Sequence, residues 1–112
     1  MFKIRQVIIY KNYFEDFFLA QKSKVQDKIM WTIKLIESHE QIAANYIKHI
    51  TGTKGLYEIR IKYGTNIFRI FCFFDEGYLI ILMNGFQKKS QKTPQKEIDK
   101  AIKIMRAYES EN

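Results

Sequence analysis

LYEIRIKYGTNIFRIFCFFDEGYLIILMNGFQKKSQKTP, residues 56–94, reads as three apolar, strand-forming runs joined by two short glycine-containing turns, closing in a lysine-rich loop before the only proline of the chain. Residues 56–62 alternate: Tyr57, Ile59 and Ile61 project to one side, and Leu56, Glu58, Arg60 and Lys62 to the other. One face is therefore apolar and the other carries charge. Gly64 and Thr65 have the Gly-X form of a two-residue type II′ hairpin loop. That loop sets Tyr63 against Asn66, Ile61 against Phe68 and Arg60 against Arg69. Directly opposed residues share a side of the sheet, with Cβ atoms about 4.5–5.5 Å apart, so the two arginines repel. Two things would offset that cost: a phosphate between them, which guanidinium matches in charge and geometry, or neutralisation by Glu58 or another acidic residue.

Residues 67–74 and 78–86 are the next two strands, joined through Asp75, Glu76 and Gly77, where glycine supplies a positive φ. A loop of two residues and a loop of three give opposite faces to Asn84 and Phe86, because a one-residue slip turns every side chain over. Beyond Phe86, Lys88, Lys89 and Lys92 fall within five residues. A solubilising loop accounts for them; so does RNA binding, since an aromatic interleaved with cations beside an arginine pair suits single-stranded RNA. Neighbours in an extended chain face opposite ways, so Lys88 and Lys89 do not serve equally.

The rest of the chain supplies elements to cover this sheet. Residues 2–10 are β-rich, with Phe2, Ile4 and Ile8 on one side and Lys3, Arg5 and Val7 on the other. Asn12 with Glu15, and Ser23 with Gln26, have the spacing of capping boxes that open two helices. Phe14, Phe17, Phe18 and Gln21 mark one face of the first. Val25, Ile29, Thr32, Ile33 and Ile36 mark one face of the second, which runs to about residue 38. The break between them is short, so they form an antiparallel pair against the sheet. Met30 and Trp31 widen the apolar face, as a broad core face or as a partner contact. Residues 39–55 have little periodicity. Thr93 as N-cap and Pro94 at the first helical position open a last helix, with Ile98, Ala101, Ile102, Met105 and Tyr108 on its apolar side.

A chain of 112 residues with 46% hydrophobic and 15% aromatic content builds one core and one domain, residues 1–112, of the α+β class. Its formal net charge of +7 favours polyanionic partners: nucleic acid, anionic membrane or acidic protein. Cys72 is the only cysteine, which excludes an internal disulfide and a cysteine-based zinc site. His39 and His49 lack companions at ligand spacing, so no metal and no cofactor is expected. No signal segment and no run near the ~20 residues of a membrane span appears, and a cytoplasmic protein without membrane contact is expected.

The segments GLYEIR (residues 55–60), IFRIF (67–71) and GFQKKSQKTP (85–94), followed by an Ile-Asp-Lys-Ala helix, resemble the RelE/ParE superfamily of toxins from type II toxin–antitoxin systems, in its phage-derived HigB-like branch. The resemblance implies a RelE-like fold: an N-terminal strand and helical hairpin packed on an antiparallel sheet, with a C-terminal helix. It implies a ribosome-dependent endoribonuclease that cuts mRNA without a metal, by attack of a ribose 2′-OH on the adjacent phosphate, and a cognate helix-turn-helix antitoxin as partner beside ribosome and mRNA. On that resemblance Arg60 and Arg69 hold the charged phosphate, and Lys88 or Lys89 is the base, its pKa lowered by neighbouring cations. Phe86, Lys62 and Lys92 contact RNA. The antitoxin would be acidic or lay a helix in an apolar groove near the N-terminal helices and Trp31. Two alternatives carry different outcomes: a non-catalytic RNA- or protein-binding module, and a ParE-like gyrase poison on the same fold.

Overall fold

The computed structural model describes residues 3–111, so Phe2 lies outside the described residues. In chain order the elements are β1 (Gln6–Ile9), α1 (Tyr13–Leu19), α2 (Ser23–Ser38), β2 (Ile47–His49), β3 (Tyr57–Tyr63), β4 (Asn66–Asp75), β5 (Leu79–Lys88) and α3 (Gln95–Glu111). The sheet runs β1-β5-β4-β3-β2. Strands β2 to β5 are antiparallel, as expected, while β1 joins β5 in parallel and makes the sheet mixed. Two differences from the sequence reading stand at the edges. The first strand is shorter than residues 2–10, and Ile4 is exposed before it. The aperiodic segment also contains β2, too short for alternation to reveal.

Helices cover both faces. Val25, Ile29, Thr32, Ile33 and Ile36 of α2 and Phe14 of α1 are buried as their spacing predicts, against Ile59, Ile61, Phe68, Ile70, Cys72, Ile80 and Leu82. On the opposite face Ala101, Ile104 and Met105 of α3 pack with Phe71, Phe73, Ile81 and Met83. Each large side chain so enclosed contributes about 1.5–3 kcal/mol relative to exposure. Two hydroxyls tie α3 down: Tyr108 donates to Asp75 at 2.7 Å, and Tyr10 to Glu111 at 2.8 Å. Burial of Cys72 pushes its thiol pKa up and leaves it an inert core residue.

The helix starts differ from the capping boxes. Neither Asn12 nor Lys22, which precedes α2 at the cap position, makes a side-chain cap bond, and Ser23 is already helical. Gln26 donates instead to the Phe18 carbonyl at 2.9 Å and links the two helices. Met30 and Trp31 are not a broad core face: they are 41% and 48% exposed. At 100° per residue they fall off the stripe formed by Ile29, Ile33 and Ile36.

The β3–β4 hairpin has the expected register, with Arg60 opposite Arg69 and Tyr63 opposite Asn66, and Gly64 takes a φ of 62°. Asp75 pairs with Leu79, leaving Glu76, Gly77 and Tyr78 as a three-residue connection. A second device intervenes farther on. Ile70 pairs with Gly85 but Cys72 with Leu82, so two steps along β4 meet three along β5. This bulge reverses the facing of everything after it in β5. Gly85 is needed there because a Cβ would stand 2.6 Å from the Phe17 ring.

Candidate nucleic-acid interface and active site

The apolar cluster under α3 ends at Phe71 and Phe86. Toward the Gly64-Thr65 turn, the same face of the sheet carries charge. Register places Arg60, Arg69 and Phe86 in one row, and Lys62, Ile67 and Lys88 in the next. Lys48 on β2 stands opposite Glu58 and extends the face to the sheet edge. The positions on β3 and β4 follow from alternation counted from a fixed turn, whereas Lys48 is placed by the pairing of β2, and Phe86 and Lys88 are turned onto this side by the bulge.

Glu58 lies between the arginines. Its Oε2 is 3.3 Å from Arg60 Nε and 3.2 Å from Arg69 Nε. Neutralisation by Glu58 is thus how the free protein offsets the like-charge pair. The Arg69 Nε–H is within ion-pair distance of that oxygen without the alignment of a hydrogen bond. Arg69 Nη1 donates to the Phe68 carbonyl at 3.1 Å. Arg69 is 5% exposed, whereas the Arg60 side chain is 29% exposed, so Arg60 is the accessible member and Arg69 the floor.

Thr93, expected as the N-cap of α3, serves elsewhere. The Pro94 carbonyl accepts the first helical bonds, from Glu97 and Ile98, and the Thr93 hydroxyl donates to Glu58 Oε1 at 3.4 Å. Burial and then the Arg69 charge lower the pKa of Lys88, with Arg60 and Lys48 acting in the same direction and Glu58 opposing. Burial is also the main cause of a lowered Arg69 pKa. A partly desolvated ammonium among guanidinium groups gives up its proton more readily than a solvated one, so a larger share of it is present as the neutral amine that can accept a proton.

The residues singled out from sequence do not all converge. Arg60, Arg69 and Lys88 form one cluster, and Lys62 flanks it on the same face, exposed. Phe86 faces the cluster, but one side of its ring stacks on Phe71 at 5.7 Å and 22°. Lys89 follows the last strand residue and is exposed, as is Lys92 in the loop beyond. Lys88 and Lys89 both line a 600 Å³ recess with Asn66, Ile67, Gln87 and Gln91. Glu58, Thr93 and Lys48 belong to the site without having been assigned there. The alternation that placed Arg60 on the charged face placed Glu58 with it; Lys48 had no such signal, because its facing depends on β2.

Across the sheet, beside α2, an apolar groove of 780 Å³ is lined by Met30, Trp31, Ile33 and Leu35 and edged by Lys3 and Lys34. Lys28 Nζ lies 4.4 Å from the Trp31 ring centroid. Among the described residues no group of acidic, histidine and cysteine side chains is arranged to hold a metal ion, and no helix is long and apolar enough to cross a membrane.

Residues 16–106, which include every site residue above, match the family model described as Phage derived protein Gp49-like (DUF891). No curated protein matches the chain.

Proposed function

The chain belongs to the phage-derived Gp49-like family, a RelE-like toxin family of toxin–antitoxin systems, and from that premise we propose that it is a HigB-like, ribosome-dependent endoribonuclease that stops translation by cutting mRNA in the cytoplasm. The observation that carries this reading is Lys88: a lysine of lowered pKa turned onto the face of Arg60 and Arg69. Attack of a 2′-OH on its neighbouring phosphate needs a base for the hydroxyl proton and cations for the charge that accumulates on phosphorus-bound oxygens. The Lys88 amine serves as that base. Arg60 and Arg69 stabilise the charge, the 2′-oxygen–phosphorus bond forms as the phosphorus–5′-oxygen bond breaks, and the leaving 5′-oxygen takes a proton from solvent while Lys88 keeps the one it removed. Lys48, Lys62 and Lys92 contact backbone phosphates, which fixes the register of the RNA without reading its sequence. Lys89 joins them. No metal is called for, since the cations are the protein's own.

Purified protein added to a translation reaction should cut the message within its translated region and leave a 2′,3′-cyclic phosphate and a 5′-OH. Intact message with normal protein yield would overturn the reading. The occupation of both arginines by Glu58 favours one second reading, a cationic module that binds RNA without cutting it; tight, salt-dependent ribosome binding with unchanged RNA is its signature. A gyrase poison would instead raise DNA damage with mRNA intact.

The antitoxin that the family suggests fits the α2 groove as an amphipathic helix, apolar against Met30 and Trp31 and acidic toward Lys28 and Lys34, Lys3 being paired with Glu37. Trp31 is the only tryptophan of the chain. Binding of the antitoxin should shift its fluorescence to the blue, and Trp31→Glu should weaken the complex by about tenfold or more. An unmoved emission spectrum in a formed complex would place the antitoxin elsewhere.

A further inference from the structure

We infer that Glu58 is an internal substitute for the substrate phosphate, a displaceable anion that holds Arg60 and Arg69 together in the free protein and yields its place when a phosphodiester arrives. The inference rests on the reading of this face as an RNA site and adds to it an exchange of anions. One oxygen, Oε2, reaches the Nε of arginines on two different strands, at 3.3 and 3.2 Å. That is the position a phosphate oxygen would take between opposed guanidinium groups.

The seat is occupied but loosely bonded. The contact to Arg69 lacks hydrogen-bond alignment, and the other carboxylate oxygen has one long bond, 3.4 Å, from Thr93. A phosphodiester brings one negative charge spread over two non-bridging oxygens, so it can give each guanidinium an aligned partner where the single Oε2 cannot. Phosphate and carboxylate repel at this range, and the enclosed setting strengthens the repulsion. The carboxylate must therefore turn away as the phosphate seats. Thr93 stands at its second oxygen, and Lys48 stands on the same face as a cation to receive it.

The arrangement serves two ends. The bulk of the side chain at position 58 fills the space between the opposed guanidinium groups, and its negative charge offsets their repulsion until a phosphodiester takes over that role. A weak anion incapable of holding both guanidinium groups well is kept there until a better one displaces it. Glu58 acts as a positioning residue through the arginines.

The test is a titration of the unliganded wild-type protein with inorganic phosphate, followed by NMR at the Glu58 carboxyl carbon and the Arg60 and Arg69 Nε groups. All three signals should move with one common affinity. Arginine signals that move while the Glu58 carboxyl stays fixed would overturn the exchange, as would the absence of any phosphate effect. In parallel, Glu58→Gln, which keeps the shape and removes the charge, should bind inorganic phosphate about tenfold more tightly than wild type. Equal or weaker binding by a folded Glu58→Gln protein would refute it, since a merely structural glutamate predicts weaker binding through disordered arginines. Neither readout uses mRNA cutting. Exchange in a protein that cuts nothing would sink the nuclease reading alone; cutting by a protein whose Glu58 signal never moves would sink the exchange alone.

Discussion

Lys88→Ala should lower mRNA cutting by about 10²–10⁴-fold, the range for loss of a positioned base, with message fragments in a timed translation reaction as the measure. Lys89→Ala should cost about tenfold at most, as expected of a phosphate contact outside the cluster. The contrast follows from facing alone, because the two lysines are adjacent and chemically identical. Equal losses would remove Lys88 from the chemistry. Cutting by the wild type should rise with pH as Lys88 loses its proton, with its inflection below the ordinary lysine value of about 10.4. The sign for stability is the same: a folded pKa below the unfolded one means the unfolded chain holds more protons in that alkaline window. Stability therefore increases with pH through it and is lowest, for this group, where Lys88 is fully charged.

Arg69→Gln should reduce cutting by about 10²–10³-fold, the usual effect of deleting one donor to a developing oxyanion. Two side effects distinguish it from Lys88→Ala. Arg69 is buried against Glu58, so its loss should also destabilise the fold, by up to about 3–5 kcal/mol if Glu58 is left poorly paired, and by less because Arg60 remains. A denaturant titration measures that cost. Arg69 also contributes to the lowered Lys88 pKa, so the inflection in residual activity should move to higher pH. Arg69→Lys separates charge from geometry: it should fold nearer to wild type yet cut poorly, since an ammonium cannot offer the planar fork. Full activity in Arg69→Lys would mean that charge suffices.

The roles of these residues show how far one chain of letters reaches. Alternation over residues 56–62, a Gly-Thr loop and the opposed arginines were legible, because β-hairpin register is a local property of turn length and side-chain period. The helical stripe in α2 was legible for the same reason, since its burial follows from 3.6-residue spacing, and that of α3 in part: Ala101 and Met105 are buried as read, Ile98, Ile102 and Tyr108 are half-buried, and the buried Ile104 was missed. Start signals were less so. A serine or threonine at cap spacing has other uses for its hydroxyl, and Thr93 donates it to Glu58 on the neighbouring sheet face.

The sequence by itself determined an α+β domain with both arginines on one sheet face and lysines at its end. The tertiary structure decided which lysine joins them. That choice depends on an extra residue in β5 opposite Phe71, and on the Phe17 ring pressing on Gly85, neither of which has a signature in local composition. It also decided that Glu58, rather than an acidic residue from elsewhere, sits between the arginines, and that β2 brings Lys48 to the same face. Facing survives only as long as strand pairing is unbroken. One inserted residue inverts it, and whether such a residue is tolerated is settled by what packs on either side of the sheet.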